Sequence, residues 1–180
     1  VGDWPQNLEP VPPIIAVGSS ACIDEGMTSY NQIGTITGWQ YGANVGVFIP
    51  FTINRIVTVY KMFYSATTAP SGNVDVGLYD DQGNRIVSMG STAGAVTNNM
   101  QQLDIADTVL LPGTYYQAMA CSTNSSGVFR MWIHQSAGAN TAPKGQYVMA
   151  AALPLPATAT FATTTSTWTP LLSSACRVTI

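Results

Sequence analysis

The stretch GNVDVGLYDDQGNRIVSMG, residues 72–90, reads as two strands around a turn. Val74, Val76 and Leu78 alternate with Asp75, Gly77 and Tyr79, the period of two that sets successive side chains on opposite faces of a strand. A strand with one core-facing side is expected, with the two valines and the leucine inward. In DDQGN the aspartates can bond the local backbone, and Gly83 can take the positive φ that closes a short loop. RIVSM then returns antiparallel. Downstream, LLPGTYYQAMA follows the same logic: Pro112 and Gly113 make a turn that launches a strand at Thr114, Tyr115 and Tyr116. Neither segment carries an evident catalytic group.

Working outward from residue 29, short apolar or alternating runs are punctuated by Gly, Pro, Asn and Ser at intervals of roughly ten residues, the pattern of an all-β chain. Strands are expected over 33–39, 45–49, 52–64, 73–79, 85–89, 100–105, 113–121, 127–135, 146–153, 158–163 and 174–180. Long periodic helical segments are absent. QQLDIADTVLLPG is expected to hold one short helical turn near residues 104–108. The chain therefore divides into an extended arm, residues 1–26, and an antiparallel β-sandwich, residues 27–180. Pro5, Pro10, Pro12 and Pro13 forbid a regular helix or central strand in the arm. Trp4, Leu8, Ile14 and Ile15 would expose costly apolar area there, so the arm is expected to pack on its own domain or on a neighbour.

Charged residues make up 8% of the chain, against roughly 25% in a typical soluble protein. Thr (21) and Ser (14) must cover much of the surface, and Thr favours a pleated, half-buried strand. The 6 basic residues are scattered singly and the net charge is −3, which argues against nucleic acid as a partner. The most apolar run, YVMAAALPLPA, is broken by Pro154 and Pro156 and is too short to span a bilayer. The first basic residue is Arg55, so no charged region precedes an apolar one as in a signal peptide. A start at Val1 is what a processed, trimmed or excised chain would show. Cys22, Cys121 and Cys176 lie far apart and form no CxxC or Cys/His cluster, so neither a metal site nor a disulfide framework is expected.

Signatures of chemistry are missing. His134 is the single histidine, sits in the predicted strand GVFRMWIHQ, and has no GxSxG nucleophile elbow to serve. Glu9 and Glu25 fall in the arm, Asp80 and Asp81 at a hairpin tip, and Asp104 and Asp107 in a predicted turn, so no carboxylate pair spans a cleft. Asp75 with these four aspartates could in principle offer oxygens to calcium, but no DxDxDG pattern orders them. Neither GxxxxGK[ST] nor GxGxxG occurs. The chain is expected to be no enzyme and to need no cofactor.

The pairing of VGLYDDQGNRIVSMG with LLPGTYYQAMA, followed by GVFRMWIH, resembles the β-sandwich domains of tailed-bacteriophage virion proteins, among them tail-fibre, receptor-binding and capsid-decorating modules. The resemblance covers roughly residues 45–135. It implies a jelly-roll-like sandwich, commonly a homotrimer, located in the virion and serving host attachment or capsid decoration alongside other virion proteins. It brings no active site. The rival expectation is a carbohydrate-binding module of a secreted enzyme, which would share the sandwich and its aromatics.

Both readings place weight on VFRMWIH. Alternation sets Phe129, Met131 and Ile133 on one face and Val128, Arg130, Trp132 and His134 on the other. An indole between a cation and an imidazole is a usual platform for a sugar ring or a protein partner; the plainer alternative is that Trp132 packs under a loop or subunit. Trp39 and Tyr41, between glycines in TGWQYGAN, form a second candidate at a loop tip, with core packing again the alternative. If the Trp132 face binds a host-surface glycan, replacing Trp132 with Ala is expected to abolish that binding while leaving the melting temperature nearly unchanged. Glycan binding and thermal melting measured together check this, and a large drop in melting temperature places the indole in the packing instead.

Overall fold

The computed structural model describes residues 30–37, 39, 41–95, 99–123, 128–134, 147–164, 168–170 and 172–178. The arm, with Trp4, Leu8, Ile14 and Ile15, lies outside the described residues, as does Cys22. Strands dominate what is described and no helix occurs in it: β1 (Tyr30–Thr37), β2 (Gly46–Ile53), β3 (Val57–Thr68), β4 (Asn73–Asp80), β5 (Arg85–Ser88), β6 (Thr92–Ala93), β7 (Asn99–Leu110), β8 (Gly113–Cys121), β9 (Val128–His134), β10 (Tyr147–Met149), β11 (Ala162–Thr163), β12 (Trp168–Pro170) and β13 (Leu172–Val178). They form two antiparallel sheets packed face to face, the all-β sandwich expected from the sequence. One sheet runs β1-β9-β3-β13, with β12 beside β9 and β7 beside β3. The other runs β11-β10-β2-β8-β4-β5, with β6 beside β4.

The β4–β5 hairpin forms as read. Asp80 Oδ1 accepts the N–H of Gln82 at 3.0 Å and of Asn84 at 2.7 Å, and Oδ2 accepts Asn84 Nδ2 at 3.0 Å. Gly83 takes φ +84° and donates its N–H to Asp80 O. Desolvation works against the Asp80 carboxylate, but these bonds from Asn84, Gln82 and Gly83 outweigh it and hold its pKa below the usual value.

Several expectations need correction, among them the predicted strands 146–153 and 158–163, which shrink to β10 and β11. The predicted strand 52–64 is broken by a bend at residues 54–55, where the chain leaves β2 in one sheet and enters β3 in the other. The helical turn expected near residues 104–108 is a bulge in β7: between the pairs Lys61–Asp104 and Val59–Thr108, β7 uses more residues than its partner, and Thr108 Oγ1 bonds Ala106 O at 2.7 Å. A bulge flanked by the carboxylates Asp104 and Asp107 breaks the regularity of a strand that pairs only with β3 among the described residues. The turn at Pro112 does launch β8, yet it carries the chain across to the opposite sheet and makes no hairpin.

Between the sheets lies the main core, in which Val47, Ile49 and Phe51 of β2, Val74, Val76 and Leu78 of β4, and Met119 and Cys121 of β8 meet Val59, Met62 and Tyr64 of β3, Leu103 and Leu110 of β7, and Phe129 of β9. Some polar atoms inside it are tied across or along the sheets, while Ser65 Oγ and Gln117 Oε1 are buried with no hydrogen-bond partner among the described residues. Gln117 Nε2 on β8 donates to Ser174 Oγ on β13 at 2.8 Å, bridging the two layers. The Tyr64 hydroxyl donates to Gln101 Oε1, which also accepts Ala95 N–H at 3.1 Å. Cys121 is buried there as a free thiol.

The second face of β4 is not solvent-facing, as the alternation implied, but buried. After β10 the chain runs as an irregular strap, residues 150–161, across the outside of the β10-β2-β8-β4-β5 sheet. It covers Phe48, Tyr79, Ala118 and Ala120 with Leu155 and Ala159. Full burial of Leu155 contributes about 1.5–3 kcal/mol. Backbone bonds seat the strap from end to end: Ala152 N–H to Asn44 O (2.7 Å), Arg85 N–H to Ala157 O (2.8 Å) and Ala159 N–H to Gly83 O (2.8 Å). Side chains add the Tyr79 hydroxyl to Pro156 O at 2.6 Å and Arg85 Nη1 to Leu155 O.

Glycines in the sheet make this approach possible. A Cβ on Gly46 would lie 2.8 Å from Ala152 Cβ, and one on Gly77 would lie 2.8 Å from Val87 O and 3.0 Å from Leu155 Cδ1. Gly77→Ala is expected to destabilise the protein by about 1–3 kcal/mol through this overpacking, measured as a lower denaturant midpoint. An unchanged midpoint would mean that neither Val87 O of β5 nor Leu155 of the strap closes on Gly77.

Candidate functional site

The structure separates the aromatic candidates of the sequence. Trp39 follows β1 and is 1% exposed, with its indole inside the sandwich. Its Nε1 donates to Val45 O at 2.9 Å, and its ring meets Phe129 edge-on at 5.4 Å and Tyr41 at 5.2 Å. Tyr41 is half-buried against the same core. This corrects the loop-tip platform in favour of core packing: Trp39 turns inward because a Trp that finds an acceptor for its N–H buries its large apolar ring at little polar cost.

Arg130, Trp132 and His134 lie on β9, in register with Thr35, Ile33 and Tyr30 of β1. Trp132 is also paired with Thr169 of β12, so it stands between two strands and away from any edge of the sheet. The side chains of these three residues lie outside the described ones. Phe129, on the same strand, faces the core as the alternation required, and through it β9 touches Trp39.

An aromatic face that the sequence reading did not single out occupies the outside of the opposite sheet. Phe161, at the end of the strap, packs on Tyr116 of β8 at 4.5 Å, on Tyr147 of β10 at 5.3 Å with nearly parallel rings, and on Phe48 of β2 at 5.1 Å. Phe48 and Tyr79 are sealed beneath, while Tyr116, Tyr147 and Phe161 are half-buried and form a rim. Burial raises the Tyr116 pKa, with Tyr147 and Asp81 adding to the shift, so this hydroxyl stays protonated and able to donate. Half-exposed rings with such a hydroxyl and the nearby Asp81 carboxylate can stack on the apolar face of a sugar or receive a protein side chain. The residues come from segments far apart in the chain, and Tyr115–Tyr116 was the one local sign of them.

A second surface feature lies at one end of the sandwich. Ile56, Val109 and Leu111 are 40%, 57% and 59% exposed. Register places them together: Thr58 pairs with Val109 and Val57 with Leu110, so Ile56 and Leu111 flank the end of that ladder. Nearby charge on the outer surface is locally neutralised, with Lys61 Nζ 2.9 Å from Asp104 Oδ1.

Among the described residues no group of three or more His, Cys, Asp or Glu side chains is placed to hold a metal ion. No helix among them is long and apolar enough to cross a membrane. Comparison of the chain with protein-family models, with curated proteins and with solved structures finds no match.

The placement of Trp39 has a measurable consequence. Trp39→Ala is expected to cost about 3–5 kcal/mol of stability, because it empties a core site and strips Val45 O of its partner. Chemical denaturation checks this; a variant as stable as the wild type puts the indole outside the core.

Proposed function

We propose that the chain is a non-enzymatic structural module of a tailed-bacteriophage virion, a surface part that decorates the capsid or belongs to a tail fibre and assembles with copies of itself, as a homotrimer. The observation that carries this reading is the exposed apolar end formed by Ile56, Val109 and Leu111 on a chain with 8% charged residues. Contiguous apolar surface on a weakly charged protein is a place where another chain docks. The arm with Trp4, Leu8, Ile14 and Ile15 supplies further apolar area for contacts between subunits, and the resemblance of residues 45–135 to virion sandwiches supports the setting.

A second reading, glycan binding by the sandwich, is favoured by the rim of Tyr116, Tyr147 and Phe161, whose rings are half-open on the outer sheet. It is compatible with the first as host attachment, or it stands alone as the carbohydrate-binding module of a secreted enzyme. Oligomeric state separates the two settings, since a virion part is a stable oligomer and a binding module is usually a monomer.

Size-exclusion chromatography with light scattering is expected to show a trimer for the full chain. Val109→Asp with Leu111→Asp, and separately deletion of residues 1–26, is expected to shift the mass towards monomer with a smaller effect on the melting temperature. A full chain that is monomeric at high micromolar concentration, with the deletion changing only its melting temperature, overturns the assembly reading.

A further inference from the structure

Asp75 is fully buried on the outer face of β4, beneath the strap, and is held by contacts that join three segments. Its Oδ2 accepts the backbone N–H of Leu155 at 2.9 Å and the hydroxyl of Ser88 at 3.3 Å. Its Oδ1, equally buried, has no hydrogen-bond partner among the described residues. A buried carboxylate with one oxygen unpartnered is costly, whereas the neutral acid keeps both bonds to Oδ2 and carries its proton on Oδ1. Strap closure and ionisation at this carboxyl therefore oppose each other.

We propose that Asp75 is a pH-sensitive latch for the strap: its neutral carboxyl holds residues 150–161 closed over the sheet, and its ionisation loosens them. The groups facing it are few. Arg85 of β5 is the one charged neighbour among the described residues, and its guanidinium also bonds Leu155 O. Tyr79 is the titratable neighbour on the same strand. The paired residue on β8 is Ala120, and neither the strap nor residues 89–91 contain a titratable side chain. Burial, the dominant influence, pushes the Asp75 pKa up; the Leu155 N–H, the Ser88 hydroxyl, the nearby Gly90 N–H and the Arg85 charge oppose it without cancelling it.

The sign follows from linkage. A carboxyl whose pKa is higher in the closed state than in the open one stabilises closure fully below the open-state value, and that stabilisation is lost as pH rises through the closed-state value. Acid tightens the strap and rising pH frees it. Loosening uncovers Phe48, Tyr79 and Ala118 and carries away Phe161, so the aromatic rim exists only with the strap closed. This device stands apart from the assembly reading and needs no partner.

Hydrogen exchange of the full chain between pH 4.5 and 8, corrected for intrinsic exchange rates, tests it. In the wild type, peptides covering residues 150–161 are expected to lose protection by at least about threefold as pH rises, while peptides from β3 stay constant. Asp75→Asn keeps the acceptor for Leu155 N–H without a titrating group and is expected to give a flat profile. Ser88→Ala removes one bond that favours the ionised form and is expected to move the loosening to higher pH, which keeps the test intact if Asp75→Asn does not fold. Strap protection that is independent of pH in the wild type, the same pH dependence in Asp75→Asn, or a Ser88→Ala transition that stays put or moves down, overturns the latch.

Discussion

Leu155 presses against Gly77 and donates its backbone N–H to Asp75, and around that contact the outside of one sheet becomes a second core. The rest of the architecture answers to it. Strand β4 must be apolar or self-satisfied on both faces, so Val74, Val76 and Leu78 serve the inter-sheet core while Tyr79 and Gly77 serve the strap. The β4–β5 turn must present Gly83 O to Ala159, and Arg85 must reach back to Leu155 O. A layer that contains no regular pairing is thus anchored by backbone groups at both ends and by one carboxyl at its middle.

The consequence for the surface is an asymmetry between the two sheets. The sheet containing β2, β8 and β4 is sealed outside by the strap, leaving the rim of Tyr116, Tyr147 and Phe161 as its half-open aromatic ground. At the end of the other sheet, the β3–β7 ladder runs out into Ile56, Val109 and Leu111. Aromatic rings with hydroxyls suit a ligand that is partly polar, while bare aliphatic side chains suit another protein surface. The two surface features therefore lie at different places on the molecule and suit partners of different chemistry.

Most successive strands among the described residues lie in different sheets, as in β2 to β3, β3 to β4, β6 to β7, β7 to β8 and β8 to β9. Contacts are in consequence mostly non-local, and the β4–β5 hairpin is the one tight hairpin closed within a sheet among the described residues. Its turn is also the most fully specified piece of local chemistry, with one aspartate side chain satisfying two backbone N–H groups and an amide. A chain of high contact order benefits from such a preformed unit, because loop closure elsewhere must precede any gain from pairing.

What the sequence by itself determined was everything carried by neighbours: the period of two in residues 73–79, the Asp80–Gly83 turn, the strand of VFRMWIH with Phe129 inward, and the all-β class. These depend on alternation and turn chemistry within a few residues, where backbone geometry acts directly. Only the tertiary structure decided which strands share a sheet, that residues 104–108 bulge and do not coil, that Trp39 turns inward, and that Asp75 is buried. Asp75 looked like an outward-facing polar residue because its lid comes from 80 positions later in the chain. Tyr116, Tyr147 and Phe161 were illegible as a site for the same reason: each is ordinary in its own segment, and they become one surface only when the strap folds back across the sheet.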